Sequence, residues 1–224
     1  MAKHLDLEEQ EQLDQIKHFW ARYGNLITWV LIAVFGGMAA WNGWQYWQRD
    51  QSVKASILYD EIDRAVGTKD VDKLERALSD MQDRFGGTTF ADQGALLAAK
   101  ALHEAGKADA ARAALAWVNN KSSDGAYQAV ARLRLAALDI EAKAYDQALK
   151  TLDASAPKAF EPLVADRRGD VLMAQSKAEE AKAQYVAAWR GLGERVEYRR
   201  LVEVKLAALG VDVSTLTPSP EVAR

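Results

Sequence analysis

The residue types that usually perform chemistry are sparse in this chain of 224 residues. It contains no cysteine, which excludes disulfides, thiol nucleophiles and cysteine-based metal sites. Of its three histidines, His4 and His18 lie near the N-terminus and His103 stands alone in a helical stretch. The paired acids Glu179 and Glu180 have no accompanying nucleophile or glycine-rich phosphate loop. We therefore predict a non-catalytic protein without a metal site or cofactor.

The charge balance argues against nucleic acid as a partner. Lys and Arg total 29 against 32 Asp and Glu, giving a formal net charge of −3. Proteins that bind nucleic acid usually concentrate basic residues in one region. No such region is present in this sequence, so we expect protein and lipid partners instead.

One segment dominates the N-terminal part of the chain. Residues 23–48 contain no charged residue and are bounded by Arg22 and Arg49. About 20 helical residues cross the hydrocarbon core of a bilayer, and tryptophans and tyrosines at both edges suit its two interfaces. We predict a membrane-spanning helix with its core at 26–44. An acidic tail, residues 1–22, precedes it and is predicted to form an amphipathic helix.

Two alternatives to a membrane anchor exist for this segment. A buried core helix would show a polar face, which is missing here. A cleaved signal peptide would not be preceded by a long, net acidic region. An uncleaved signal anchor in contact with membrane lipid is therefore favoured.

The span also carries a possible packing face, and its orientation is open. Small residues at helical spacing let a second helix approach closely, although Gly and Ala are common in membrane helices generally. Lys and Arg near the two ends of the span do not differ enough in number to fix the orientation. The predicted packing face consists of Ala33, Gly36, Gly37, Ala40 and Gly43.

The remainder of the chain shows a helical repeat. It is rich in alanine and has apolar residues at helical spacing, which predicts an all-α domain. Small residues twelve apart recur four times, with second members 34, 37 and 33 residues apart, close to the period of tetratricopeptide repeats. The small pairs are Ala65 and Ala77, Ala99 and Ala111, Ala136 and Ala148, and Gly169 and Ala181.

This periodicity predicts a tetratricopeptide-repeat-like α-solenoid at 49–210. It would contain about four helix pairs, followed by a capping helix at 194–209 that covers the exposed edge of the solenoid. Residues 211–224, with Pro218 and Pro220, are predicted to be a flexible tail.

In such a solenoid the first helix of each pair lines a groove that can bind a partner. The groove positions in this chain are mostly apolar, which suits unfolded or extended polypeptide segments. The alternative is that some of these residues are inter-helix core, misassigned by a register error. The predicted groove residues are Tyr59, Ile62, Val66, Gln93, Leu96, Lys100, Val130, Leu133, Ala137, Leu163, Asp166 and Asp170.

The chain resembles one family over nearly its whole length, and the N-terminal 50 residues are the most specific part of the resemblance. The acidic lead 8–12, the stretches 16–20 and 23–25 before the span, and the exit 43–47 are similar to YfgM-type ancillary subunits of the Sec translocon in Gram-negative inner membranes. This resemblance implies a cytoplasmic N-terminus and a periplasmic repeat domain. It also implies three partners: the SecYEG translocon, the PpiD-type periplasmic chaperone and unfolded secreted polypeptides.

Several functions are compatible with these features. The favoured one is a non-catalytic, membrane-tethered adaptor or chaperone accessory of the translocon. A second is a regulatory membrane protein whose cytoplasmic tail sequesters a stress-response regulator. A structural scaffold of another envelope complex is a further alternative, and an enzyme is the least supported class.

Overall fold

A computed structural model describes residues 7–194 and 196–216 of the chain. All regular secondary structure in these residues is helical, which confirms the predicted all-α class. Two short 3-10 turns, Lys158–Phe160 and Val213–Thr215, accompany the α-helices. The helices are α1 Leu7–Thr68, α2 Val71–Phe85, α3 Thr89–Glu104, α4 Ala108–Lys121, α5 Gly125–Glu141, α6 Tyr145–Leu152, α7 Glu161–Ala174, α8 Ala178–Gly191 and α9 Tyr198–Ala208.

The chain divides into two compact units, residues 1–51 and 52–224. The described part of the first unit is the N-terminal part of α1, so residues 7–22 of the predicted tail are helical. Within α1, an 18-residue window with mean hydropathy 1.5 is long and apolar enough to cross a membrane. Large apolar side chains in it, such as Leu26 and Phe35, are exposed, as expected for residues that face lipid.

The second unit contains the helix pairs. The first helices are the C-terminal part of α1, then α3, α5 and α7, and the second helices are α2, α4, α6 and α8. Buried residues form three successive clusters, from α1 to α5, from α5 to α7, and from α7 to the C-terminal segment. Such a chain of local cores is typical of repeat proteins, in which each unit packs on its neighbours.

The same turn ends the first helix of every pair. A residue with positive φ follows each of these helices. The N–H of the residue after it donates a hydrogen bond to the carbonyl oxygen five positions earlier in the chain. For example, Lys107 N donates to Leu102 O at 2.8 Å, and Lys177 N to Leu172 O at 2.9 Å. The four left-handed residues are Lys69, Gly106, Lys143 and Ser176.

Helix α9 ends with this turn as well. Gly210 has φ +73°, and Val211 N donates to Leu206 O at 3.0 Å. The helix lies where a terminal capping helix was predicted, but its ending is that of a first helix. Within the described residues, the repeat series therefore continues into the first helix of a fifth unit.

The turns also test the predicted repeat register. In the second to fourth repeats the first member of each small pair lies seven positions before the left-handed residue. Both members of each of these pairs are buried. In the first repeat the residue seven positions before Lys69 is Ile62, and the residue twelve beyond it is Leu74. The prediction of Ala65 and Ala77 as this pair was therefore wrong by three residues. Each alanine lies three residues after the true position, so the spacing of twelve is kept and the sequence alone did not reveal the shift.

The C-terminal segment does not extend freely from its first residue. Val211, Val213 and Leu216 are partly buried against the cluster that includes α8 and α9. Residues 211–216 of the predicted flexible tail therefore pack on the domain, and residues 217–224 lie outside the described part of the chain.

Candidate partner-binding surfaces

The predicted groove residues do not form one open apolar surface. Only Gln93 and Lys100 among them are exposed, and both are polar. Three others, Ile62, Leu96 and Asp166, are buried. The half-buried members are Tyr59, Val66, Val130, Leu133, Ala137, Leu163 and Asp170.

The buried members lie between neighbouring repeats. A Cβ added to Gly94 of α3 would be 3.0 Å from Cδ1 of Ile62 in α1, so these two helices approach closely at that point. Arg134 of α5 donates from Nη1 to the carbonyl of Leu96 in α3 at 2.8 Å. First helices of adjacent repeats are thus in direct contact, and Ile62 and Leu96 are core residues. For these two residues the alternative given above, that a register error placed core residues in the predicted groove, is the correct one. A binding role for the remaining groove positions stays a prediction.

In the fourth repeat the predicted groove is occupied by α9. Lys205 of α9 donates to both carboxylate oxygens of Asp166 at 2.8 Å and to Asp170 Oδ1 at 2.6 Å. Tyr198 donates to Asp166 Oδ2 at 2.6 Å, and Tyr185 of α8 donates to Asp170 Oδ1 at 2.9 Å. Two carboxylates predicted to face a partner are therefore used to join α7, α8 and α9.

Both tyrosines of this cluster resist ionisation. Burial, followed by the charge of Asp170 and its hydrogen bond, raises the pKa of Tyr185 well above its usual value. Burial and the hydrogen bond to Asp166 do the same for the pKa of Tyr198. Each hydroxyl therefore keeps its proton at neutral pH and can donate it in a hydrogen bond to the neighbouring carboxylate, which can only accept.

A polar strip remains accessible on α3 and α5. Gln93 Nε2 donates to the hydroxyl of Tyr127 at 2.8 Å, and His103 Nε2 lies 3.3 Å from Glu141 Oε2. Lys100 Nζ lies 3.8 Å from Glu104 Oε1. This strip could contact a partner through hydrogen bonds and charge, rather than through apolar burial alone.

One buried acid joins α3 to the loop between α4 and α5. Asp92 of α3 is buried, and its Oδ2 accepts a hydrogen bond from Ser122 Oγ at 2.8 Å. Burial raises the pKa of the Asp92 carboxyl, while the hydrogen bond from Ser122 partly opposes that effect. Among the described residues, no three acidic or histidine side chains gather to form a candidate metal site.

The large exposed apolar side chains of the repeat domain concentrate near its two ends. Val53 and Ile57 lie in the first of its helices, and Val196, Leu201 and Val204 lie in or beside α9. A terminal helix lacks a neighbour on one side, which leaves apolar residues uncovered. Sequence reasoning missed these residues because it placed the binding surface at the groove-facing positions of the first helices in all four repeats.

The small-residue face of the span is uncovered within the first unit. A Cβ added at Gly36, Gly37 or Gly43 would meet no atom within 4 Å. Ala33 and Ala40 are exposed as well. This face is therefore open to lipid or to a helix from another protein.

The fold and these surfaces define a helical-repeat protein with an N-terminal helix suited to membrane anchoring. The family profile described as tetratricopeptide repeat-like domain matches residues 17–211. No solved structure matches the chain.

Curated relatives identify the family more closely. A protein of Neisseria gonorrhoeae named ancillary SecYEG translocon subunit is 31% identical over 210 residues, covering 93% of this chain and all of the relative. Proteins with the same name from Escherichia coli and Haemophilus influenzae are 29% and 28% identical. They cover 80% and 89% of this chain, and 86% and 97% of their own lengths. The chain therefore belongs to the family of ancillary SecYEG translocon subunits.

Proposed function

We propose that the chain is a non-catalytic, membrane-tethered accessory of the SecYEG translocon. The observation that carries this proposal is full-length similarity to proteins named as ancillary subunits of that translocon, together with the apolar window in α1. In this proposal the chain lies in a bacterial inner membrane, with its N-terminus in the cytoplasm and residues 49–210 in the periplasm. Tethering raises the effective concentration of the repeat domain near its partners.

Isolation of the full chain in mild detergent tests the translocon proposal. The expected result is co-purification with SecYEG in stoichiometric amounts. The control is a variant of the full chain in which the residues of the span are scrambled, so that its hydropathy is unchanged. Failure of the native chain to retain any SecYEG subunit would contradict the proposal.

The orientation is tested separately by reporter fusions. A periplasm-dependent reporter fused after Gly210 is expected to be active, and the same reporter fused before Arg22 is expected to be inactive. The reverse pattern would place the repeat domain in the cytoplasm.

We further propose that the repeat domain contacts secreted chains and a PpiD-type chaperone. The accessible polar strip supports this proposal, since Gln93 and Lys100 are exposed predicted groove residues. Photo-crosslinkers at these two positions should capture a secreted chain or the chaperone during translocation. The matched control is Asp83, which is exposed on α2, and equal capture there would remove support for this surface.

A regulatory role is the second candidate. Its support is the helical state of residues 7–22, which would present the acidic tail as a docking segment for a cytoplasmic response regulator. Deleting residues 2–14 should then change stress-response output while the association with SecYEG persists. Unchanged output would exclude this role.

A further inference from the structure

A small pocket lies between the first and second repeats, where the end of α1 and the start of α2 meet the end of α3. Its volume is about 160 Å³, below the roughly 300–1,000 Å³ of sites that hold cofactors or drug-sized molecules. It therefore has room for a side chain rather than for a cofactor. Apart from one lysine and one glutamate its walls are apolar, and the lining residues are Ala65, Val66, Lys69, Val71, Leu74, Ala101, Glu104 and Ala105.

The next interface between repeats shows which side chains fill the equivalent positions. With the left-handed turn residues of successive repeats aligned, Ala65 corresponds to Leu102. In the same alignment Ala101 corresponds to Leu138. Leu102 is buried, and Leu138 packs against the same core cluster. The interface between the second and third repeats thus places two leucine side chains where the pocket has two methyl groups.

Larger residues on α2 restore only part of this bulk. Leu74 stands where α4 has Ala111, and it is itself buried. Val66 and Val71 are only partly buried, although both line the pocket. The exchange of large and small residues between the helices therefore leaves aliphatic surface that a further side chain can cover.

Two charged residues border the pocket. Lys69 is exposed, and its neighbour in sequence, Asp70, pairs with Lys73 at 3.0 Å. Glu104 Oε1 lies 3.8 Å from Lys100 Nζ, so the pocket adjoins the accessible polar strip on α3. A polypeptide that places one side chain in the pocket can therefore continue along that strip. A carboxylate beside the bound side chain would pair with Lys69, whereas a cation there would be repelled.

We propose that this pocket binds one aliphatic side chain of an extended polypeptide, with an acidic residue of that polypeptide next to Lys69. The bound side chain supplies the burial that Leu102 and Leu138 supply at the next interface. The inference rests on the proposed contact with secreted chains, and it names the feature that the repeat domain selects in them, which is an aliphatic residue beside an acid.

NMR spectra of the full chain in detergent, with labelled valine and leucine methyl groups, test this proposal. The probe is a synthetic peptide in which one leucine follows one glutamate between serine and glycine residues. It should shift the methyl resonances of Val66, Val71 and Leu74 saturably, and a peptide with serine in place of leucine should not. Absence of these shifts, equal shifts with both peptides, or shifts confined to other valines and leucines would overturn the proposal.

Filling the pocket provides the second measurement. Ala101→Leu copies Leu138 of the next interface and should weaken binding of the leucine peptide about tenfold or more, as expected when one aliphatic side chain can no longer be buried. Ala113→Leu on the exposed surface of α4 is the matched control and should leave the affinity unchanged. Unchanged affinity in Ala101→Leu would show that the peptide binds elsewhere.

Reversal of the border charge tests the acidic neighbour without changing the volume of the pocket. Lys69→Glu alters an exposed side chain, so the fold should survive, which circular dichroism checks for every variant. The variant should bind the glutamate peptide more weakly and a peptide with lysine in place of glutamate more tightly. If the preference does not reverse, the proposed pairing with Lys69 is wrong.

Failure of this proposal and failure of the translocon proposal are seen in different experiments. Peptide binding is measured without SecYEG, so absent methyl shifts contradict the pocket alone. Failed co-purification contradicts the translocon role alone.

Discussion

The first and fourth repeats end their first helices with the same turn but differ in the size of the residue seven positions before it. In the fourth repeat, Gly169 makes room for the ring of Tyr185, since an added Cβ there would clash with Cε1 of that ring. In the first repeat the corresponding residue is Ile62, which is fully buried. The turn geometry thus defines the repeat, while the size of the contact residue varies and is matched by its neighbours.

The two repeats also differ in the polarity of their cores. Ile62, Leu74 and Met81 in the first repeat are apolar and buried. The fourth repeat instead buries Asp166 against Lys205 and Tyr198. Apolar contacts tolerate repacking, whereas a buried ion pair depends on every partner. The fourth repeat should therefore respond more sharply to single substitutions.

The largest expected effect is the loss of the cation in the fourth repeat. Lys205→Met leaves the carboxylate of Asp166 buried with only Tyr198 as donor, which should cost about 3–5 kcal/mol of unfolding free energy. Urea unfolding of the full chain in detergent, followed by circular dichroism, measures this loss. Lys73→Met, on an exposed pair, is the control and should cost little. A loss below about 1 kcal/mol for Lys205→Met would mean that the ion pair is not needed.

The next effect tests the apolar core of the first repeat. Ile62→Ala removes a fully buried side chain and should cost about 2–5 kcal/mol by the same measurement. Ile57→Ala changes the same residue type in the same helix, but Ile57 is 57% exposed. If both substitutions cost the same, Ile62 does not contribute to the core as its burial indicates.

Overpacking tests the contact in the fourth repeat. Gly169→Ala should cost about 1–3 kcal/mol, because the added methyl group meets the Tyr185 ring. Gly67→Ala in α1 is the matched control, since nothing lies within 4 Å of its added Cβ. It should stabilise the helix by about 0.5–1 kcal/mol. A neutral Gly169→Ala would show that the paired helices can move apart.

The smallest effect concerns pH at the contact between α3 and the loop that follows α4. Burial raises the pKa of Asp92 above its unfolded value of 3.8, so the unfolded chain ionises first as the pH rises. The contribution of Asp92 to stability is therefore full below pH 3.8 and is lost as the pH rises through the folded pKa.

Asp92→Asn should remove this part of the pH dependence while it keeps an acceptor for Ser122. Urea unfolding at several pH values between acidic and neutral measures this difference. The unfolding free energy of the native chain should fall more with rising pH than that of Asp92→Asn. The exposed acid Asp83 on α2 supplies the control Asp83→Asn. Parallel pH profiles for the native chain and Asp92→Asn would contradict the raised pKa.

The helical class, the apolar window and the repeat in the second to fourth units could all be predicted from sequence. Each depends on local composition or on a spacing that the chain itself displays, as with Ala136 and Ala148. The groove residues could not be predicted in the same way. Ile62 and Leu96 have the residue types of either a core or an apolar binding surface, and only the distance to the next repeat distinguishes the two.

The sequence alone determined that the chain has an uncharged segment long enough for a membrane and a helical repeat. Those properties follow from side-chain polarity and local helix geometry, which act over a few turns. Tertiary structure decided that Asp166 and Asp170 join α7 to α9, and that Ile62 rather than Ala65 corresponds to Ala99 and Ala136 of the following repeats. These outcomes depend on which helices become neighbours, because burial and pairing are set by packing between residues distant in sequence.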